Sequence, residues 1–177
     1  MQDTTIRVWS RADGSLVRVL AGHRGPVNAI QLRESTLVSA SGDSLIKLWD
    51  INTGEVLRVL SGHTRGLACV QISPSGNLLA SGSNDQTIKL WNPRTGECIR
   101  TFEGHTDLVR SLAFDEGRKR LVSGSYDKTA RLVSCVGGEG WLGRRGVANY
   151  RHFGAIAVGP RDGRAAAQVQ GSWQFGV

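Results

Sequence analysis

The 177-residue sequence predicts an all-β protein built from repeated four-stranded antiparallel sheets. Three observations carry that reading. Residues 62–92, GHTRGLACVQISPSGNLLASGSNDQTIKLWN, form a unit that recurs: Gly22-His23 opens an earlier copy ending at Trp49-Asp50, and Gly104-His105 opens a later one reaching Val133. Asp3, Asp43, Asp85 and Asp127 keep the same beat, with steps of 40, 42 and 42 residues. Within each copy short runs of Ile, Leu, Val and Ala alternate with turn residues, and no run reads as a long amphipathic helix.

Taken in order, residues 1–9, with Asp3, Ile6, Val8 and Trp9, match the third strand (c) of a unit, and 15–20 match its fourth (d). Residues 1–20 are therefore half a unit, without strands a and b. The first complete unit, 22–60, has strand-like runs at 27–32, 36–41, 44–49 and 55–60. Its a–b connection, Arg33-Glu34-Ser35, is short, which accounts for the 40-residue step. In the central unit, 62–102, runs at 66–72, 78–83, 87–91 and 97–102 are separated by Ser73-Pro74-Ser75-Gly76-Asn77, Asn84-Asp85-Gln86 and Pro93-Arg94-Thr95-Gly96, clusters whose residues favour tight turns. The third unit, 104–133, has runs near 108–114, 121–125 and 129–133 and no strand d in sequence. Residues 134–158 are an irregular Gly/Arg-rich insertion with GGEGWLGRRG at its centre. After it, Pro160-Arg161-Asp162-Gly163 echoes the turn at Pro93, so 159–177 reads as a degenerate strand d and the start of another repeat. Ala165-Ala166-Ala167 is poor strand material there.

A Gly-His opening and a Trp-Asp close at this period resemble the WD40 repeat family, over residues 1 to about 133. The resemblance implies a partial, open β-propeller of four-stranded antiparallel blades, whose sheets are covered on both faces by neighbouring blades. About three and a half repeats are present. Propellers commonly use four to eight blades, so the chain is expected not to close alone. Its partners then include the remainder of a larger WD40 chain, or further copies through its open edges.

The family also implies a structural tetrad in each blade. By position His23, Ser39, Asp43 and Trp49 form one, and His63, Ser81, Asp85 and Trp91 a second. Indole N–H donates, hydroxyl and imidazole do both, and carboxylate accepts, so the four types chain without an orphaned donor. His105, Ser123 and Asp127 form an incomplete third set, because Val133 cannot donate.

Ser, His and Asp also suit a hydrolase, yet they recur in three successive units and no G-x-S-x-G elbow is present. Repetition points to structure. Gly138-Glu139-Gly140-Trp141-Leu142-Gly143 satisfies G-x-G-x-x-G literally but sits in no βαβ unit, and His152 is isolated beside Phe153. No catalytic residue, cofactor or metal is expected. The net charge of +7 lacks a Lys/Arg cluster interleaved with aromatics, which argues against specific nucleic-acid binding. Cys69, Cys98 and Cys135 lack metal-ligand spacing; Cys69 and Cys98 fall within strands and are expected to be buried thiols of an intracellular protein. Neither a signal peptide nor an apolar membrane-spanning run is recognisable.

The expected function is therefore a non-catalytic protein–protein interaction scaffold. The family places partner-facing residues at the start of strand a and before the turn aspartate, which here implies Asn28, Leu108 and Arg110, with Asn84 and Tyr126 preceding aspartates. Arg110 and Tyr126 stand out, since Arg and Tyr are enriched in binding hot spots. The unit sequences resemble the WD40 portion of F-box/WD substrate receptors of ubiquitin ligases, which implies acidic or phosphorylated peptides gripped by Arg110. No F-box segment lies in this chain. A reading from another class is the non-catalytic WD40 portion of a larger enzyme.

Overall fold

The computed structural model describes residues 3–134 and the backbone of 150–151. Among them there are strands and turns and no helix. β1 (Ile6–Trp9) and β2 (Leu16–Leu20) form a two-stranded sheet, the expected half blade. The first full blade is the meander β3 (Val27–Arg33), β4 (Thr36–Ser41), β5 (Ile46–Asp50) and β6 (Val56–Leu60). The second is β7 (Leu67–Ile72), β8 (Leu79–Ser83), β9 (Ile88–Trp91) and β10 (Cys98–Phe102). In the third, β11 (Val109–Asp115), β12 (Arg120–Ser125) and β13 (Thr129–Ser134) are followed at the outer edge by β14 (Tyr150–Arg151). β14 pairs Tyr150 with Ala130 and Arg151 with Thr129. The outer position thus receives two residues from the stretch read as insertion; the strand d expected in 159–177, the rest of the Gly/Arg-rich stretch, and Cys135 lie outside the described residues.

The core lies between sheets, in three layers. Ile6 and Leu20 meet Leu37 and Trp49 at the first junction. Val38, Ala40, Leu48 and Leu60 meet Val70, Ile72, Leu79 and Trp91 at the second, and Ala80, Ile88 and Leu90 meet Val109 and Leu121 at the third. Burial follows position in the stack. β8, with neighbours on both faces, is buried at every residue, whereas β3 alternates and leaves Ile30 54% and Leu32 52% exposed. By the repeat, Ile30 and Leu32 correspond to Val70 and Ile72, which pack on the blade before them. Among the described residues the sheet before β3 consists of its two outer strands, and no inner strand covers that face.

Junctions are also pinned by polar contacts. Arg18 donates to the carbonyls of Asn52 and Thr53 at 2.7 and 2.8 Å, and Arg58, one repeat later, to that of Thr95 at 3.1 Å. The guanidinium of a strand-d arginine thereby holds the c–d turn of the following blade. Strand d is otherwise largely solvent-facing, and this corrects one expectation: Cys69 is buried on an inner strand, but Cys98 opens the outermost strand β10 and is exposed.

Candidate functional site

In each of the three full blades the turn aspartate, opening histidine and strand-b serine converge. His23 Nδ1–H donates to Asp43 Oδ2 at 2.8 Å, its Nε2 lies 2.7 Å from Ser39 Oγ, and Trp49 Nε1–H donates to that hydroxyl at 2.8 Å. The second set repeats the distances: His63 to Asp85 2.8 Å, His63 to Ser81 2.8 Å, Trp91 to Ser81 2.8 Å. A carboxylate only accepts and an indole only donates, so the order of donation is Trp to Ser to His to Asp, with a neutral imidazole protonated at Nδ1. The titration of the second set agrees. Burial, together with the nearby Lys89 charge, lowers the His63 pKa against the upward pull of Asp85. For Asp85 burial acts upward, yet hydrogen bonds from the Thr87 hydroxyl, His63 and the Thr64 N–H outweigh it and hold the carboxyl at about 2. Asp43 is lowered as well, against its burial, by the Arg24 N–H and His23.

In the third set His105 reaches Asp127 at 2.6 Å and Ser123 at 2.9 Å. Val133 supplies no donor. A Cβ placed on Gly22 or Gly62 would meet the indole of Trp49 or Trp91; on Gly104 it would meet the Arg131 guanidinium at 2.7 Å instead. Arg131 stands opposite the tetrad serine, at the register position of Lys47 and Lys89, and its Nε is buried without a partner among the described residues.

These sets hold strands together and cannot attack a substrate. Ser39, Ser81 and Ser123 are fully buried, and two of the hydroxyls are capped by an indole. A nucleophile needs access to the reacting carbon, which these oxygens lack.

Sequence reasoning missed supporting residues in all three full blades, one in the first and two in each of the others. Ser41, Ser83 and Ser125 each accept the N–H of the aspartate two residues on, at 3.1 Å, and donate to a carbonyl of the preceding turn at 3.0 Å. Thr87 and Thr129 donate to Asp85 and Asp127 at 2.7 and 2.6 Å. The signal was present as S-x-D in all three full blades and D-x-T in two of them; Leu45 breaks the second pattern in the first.

The rim residues are gathered by a backbone device. In strand a of each full blade the pairing register skips one residue: Val27 pairs with Ser41 and Ala29 with Ala40, Leu67 with Ser83 and Cys69 with Gly82, Val109 with Ser125 and Ser111 with Gly124. Asn28, Ala68 and Arg110 are the bulged residues, and a bulge re-aims its side chain out of the sheet's alternation. All three line one concave cleft of about 390 Å³, together with Leu67, Leu108, Asn84, Gly42 and Gly66. The two glycines let the blades approach: a Cβ on Gly66 would stand 3.1 Å from the Gly42 backbone. Asn28 Nδ2–H donates to the Leu67 carbonyl at 2.7 Å, and Arg110 Nη1–H to that of Ala68 at 3.2 Å. Tyr126, 60% exposed, is not among the lining residues.

The family model described as "WD domain, G-beta repeat" matches residues 14–50, 54–92 and 96–134. The chain belongs to the WD40 repeat family. Each WD40 match begins at the outer strand of one sheet and ends at strand c of the next, so β2 to β5, β6 to β9 and β10 to β13 are the three sequence repeats. No match is found among curated proteins. WD40 repeats generally mediate protein–protein interaction and generally serve as non-catalytic scaffolds.

Proposed function

We propose that this chain is a non-catalytic interaction scaffold that docks a segment of a partner protein in the cleft between the inner strands of its blades. The observation that carries the reading is the coincidence of three bulges: each full blade breaks its register at the same place, and the three freed residues line a single concavity. Scaffold strands held by tetrads supply rigidity behind it. The free Cys69 and Cys98 thiols suit an intracellular setting.

A second, narrower reading is the substrate-receptor role of F-box/WD ubiquitin ligases, in which Arg110 grips an acidic or phosphorylated peptide. What favours it is that Arg110 makes no ion pair among the described residues and is held by one backbone carbonyl. The test is binding of the wild type, Arg110→Ala and Asn84→Ala to an array of peptides. Under the proposal both variants lose the majority of wild-type hits; variants that retained every hit at wild-type strength would place the docking surface elsewhere.

A further inference from the structure

We infer that the cleft selects a carboxylate, carried by an extended peptide, over a phosphate ester; this rests on the docking role proposed for the cleft. The argument is one of charge and committed donors. Arg110 is the single charged residue among those lining the cleft, so the concavity offers one positive charge. A carboxylate carries one negative charge and two oxygens that match the guanidinium fork. A phosphate monoester carries about 1.5 to 2 negative charges near neutral pH, and its excess charge would meet only Leu67, Leu108 and neutral carboxamides. Desolvating that unpaired charge opposes binding.

The remaining polar groups fit a peptide backbone. Asn28 has committed its N–H to the Leu67 carbonyl, which leaves its side-chain oxygen as an acceptor for a peptide N–H. The Asn84 carboxamide makes no hydrogen bond among the described residues and offers both a donor and an acceptor. Arg110 is steadied by its bond to Ala68 and keeps its other N–H groups for the ligand. A carboxylate comes either from an Asp or Glu side chain or from a peptide's own C-terminus, and the test separates the two.

The experiment uses randomised peptide pools on the 177-residue chain and its Arg110→Gln variant, with thermal unfolding showing that the variant is folded. Amidated pools have Asp, Glu, Asn, Gln or phosphoserine fixed at the centre; a further pool has Asn at the centre and a free C-terminal carboxylate. The Asp and Glu pools, or the free-terminus pool, should bind about tenfold more tightly than the amidated Asn and Gln pools, and Arg110→Gln should abolish the difference. The phosphoserine pool should bind no better than Glu. Tighter phosphoserine binding that still depends on Arg110 would overturn the carboxylate inference and leave the cleft as the docking site. Binding of every pool without regard to Arg110 would overturn both.

Discussion

At the scale of single residues, the tetrads are chains of donation in which every member has one place. Removing His63 or Asp85 leaves a buried partner unpaired, at a cost on the order of 1 to 3 kcal/mol. His63→Ala and Asp85→Ala should therefore lower thermal stability by that much, with Asp85→Ala also releasing the Thr64 and Thr87 N–H groups that the carboxylate accepts. Thermal unfolding of the two variants beside the wild type checks this, and unchanged midpoints would remove the tetrad from the list of what holds the second blade. The third blade offers the converse test. Val133→Trp supplies the donor missing at Ser123; it should stabilise by about 1 kcal/mol. Val133→Phe, of similar shape without the N–H, should give a smaller gain, and an equal gain would assign the effect to packing.

At the scale of the strand and its turn, acid sensitivity has a defined direction. His63 titrates lower in the folded chain than its ordinary value of 6.5, so below that value the unfolded chain binds the extra proton and stability falls as pH falls. Asp85, depressed from 3.8 to about 2, adds a second loss over that lower interval. Denaturant titrations from pH 7 to pH 3 should show stability declining first below 6.5, and Asp85→Asn should flatten the part below about 4. A decline as steep in that variant would place the acid lability in other groups. The b–c turns carry strain of their own: Ser44, Gln86 and Lys128, each following the turn aspartate, sit at φ of 68°, 69° and 67°. Left-handed geometry costs an L-residue roughly 1 to 2 kcal/mol and glycine little, while glycine loses 0.5 to 1 kcal/mol through the freer unfolded chain. Gln86→Gly should thus stabilise by about 0.5 kcal/mol, visible as a higher denaturant midpoint; a lower midpoint would mean that the Gln86 side chain contributes more than its backbone costs.

The elements differ in how readable they were. Turn clusters leave a compositional mark at a fixed period, so the strands could be laid out from residue types, whereas the polar tetrads followed from the family resemblance that the recurring His, Ser, Asp and Trp carry. A bulge leaves no such mark: Asn28, Ala68 and Arg110 share nothing but their place, and their common cleft emerges only when the register is known. Cys98 was misjudged for a related reason, since a run of five strand-like residues does not say whether its sheet position is inner or outer. Tyr126 shares the turn position of Asn84, and the same period that places it beside an aspartate does not carry it to the cleft.

At the scale of the molecule, the stack ends, among the described residues, on an uncovered face. Ile30 and Leu32 repeat the side chains that elsewhere seal a blade junction, Trp9 is 56% exposed, and β1 pairs on one side only among the described residues. Unpaired edges beside exposed apolar surface favour association. The chain should accordingly run above its monomer mass of 19.1 kDa in size-exclusion chromatography with light scattering, and the double variant Ile30→Lys, Leu32→Lys should move it toward that mass. A compact wild-type monomer with cooperative unfolding would show that another segment covers the face.

The straddling of sheets by the sequence repeat has a consequence for how such arrays change over time. A stretch of chain one period long contributes one outer strand to the sheet behind it and three strands to the sheet ahead. Duplicating or excising such a stretch, at whatever phase the break falls, restores the same succession of strands across the joint. The array can therefore lengthen or shorten by whole blades wherever two breakpoints lie one period apart, and each newcomer arrives already stitched to the blade before it.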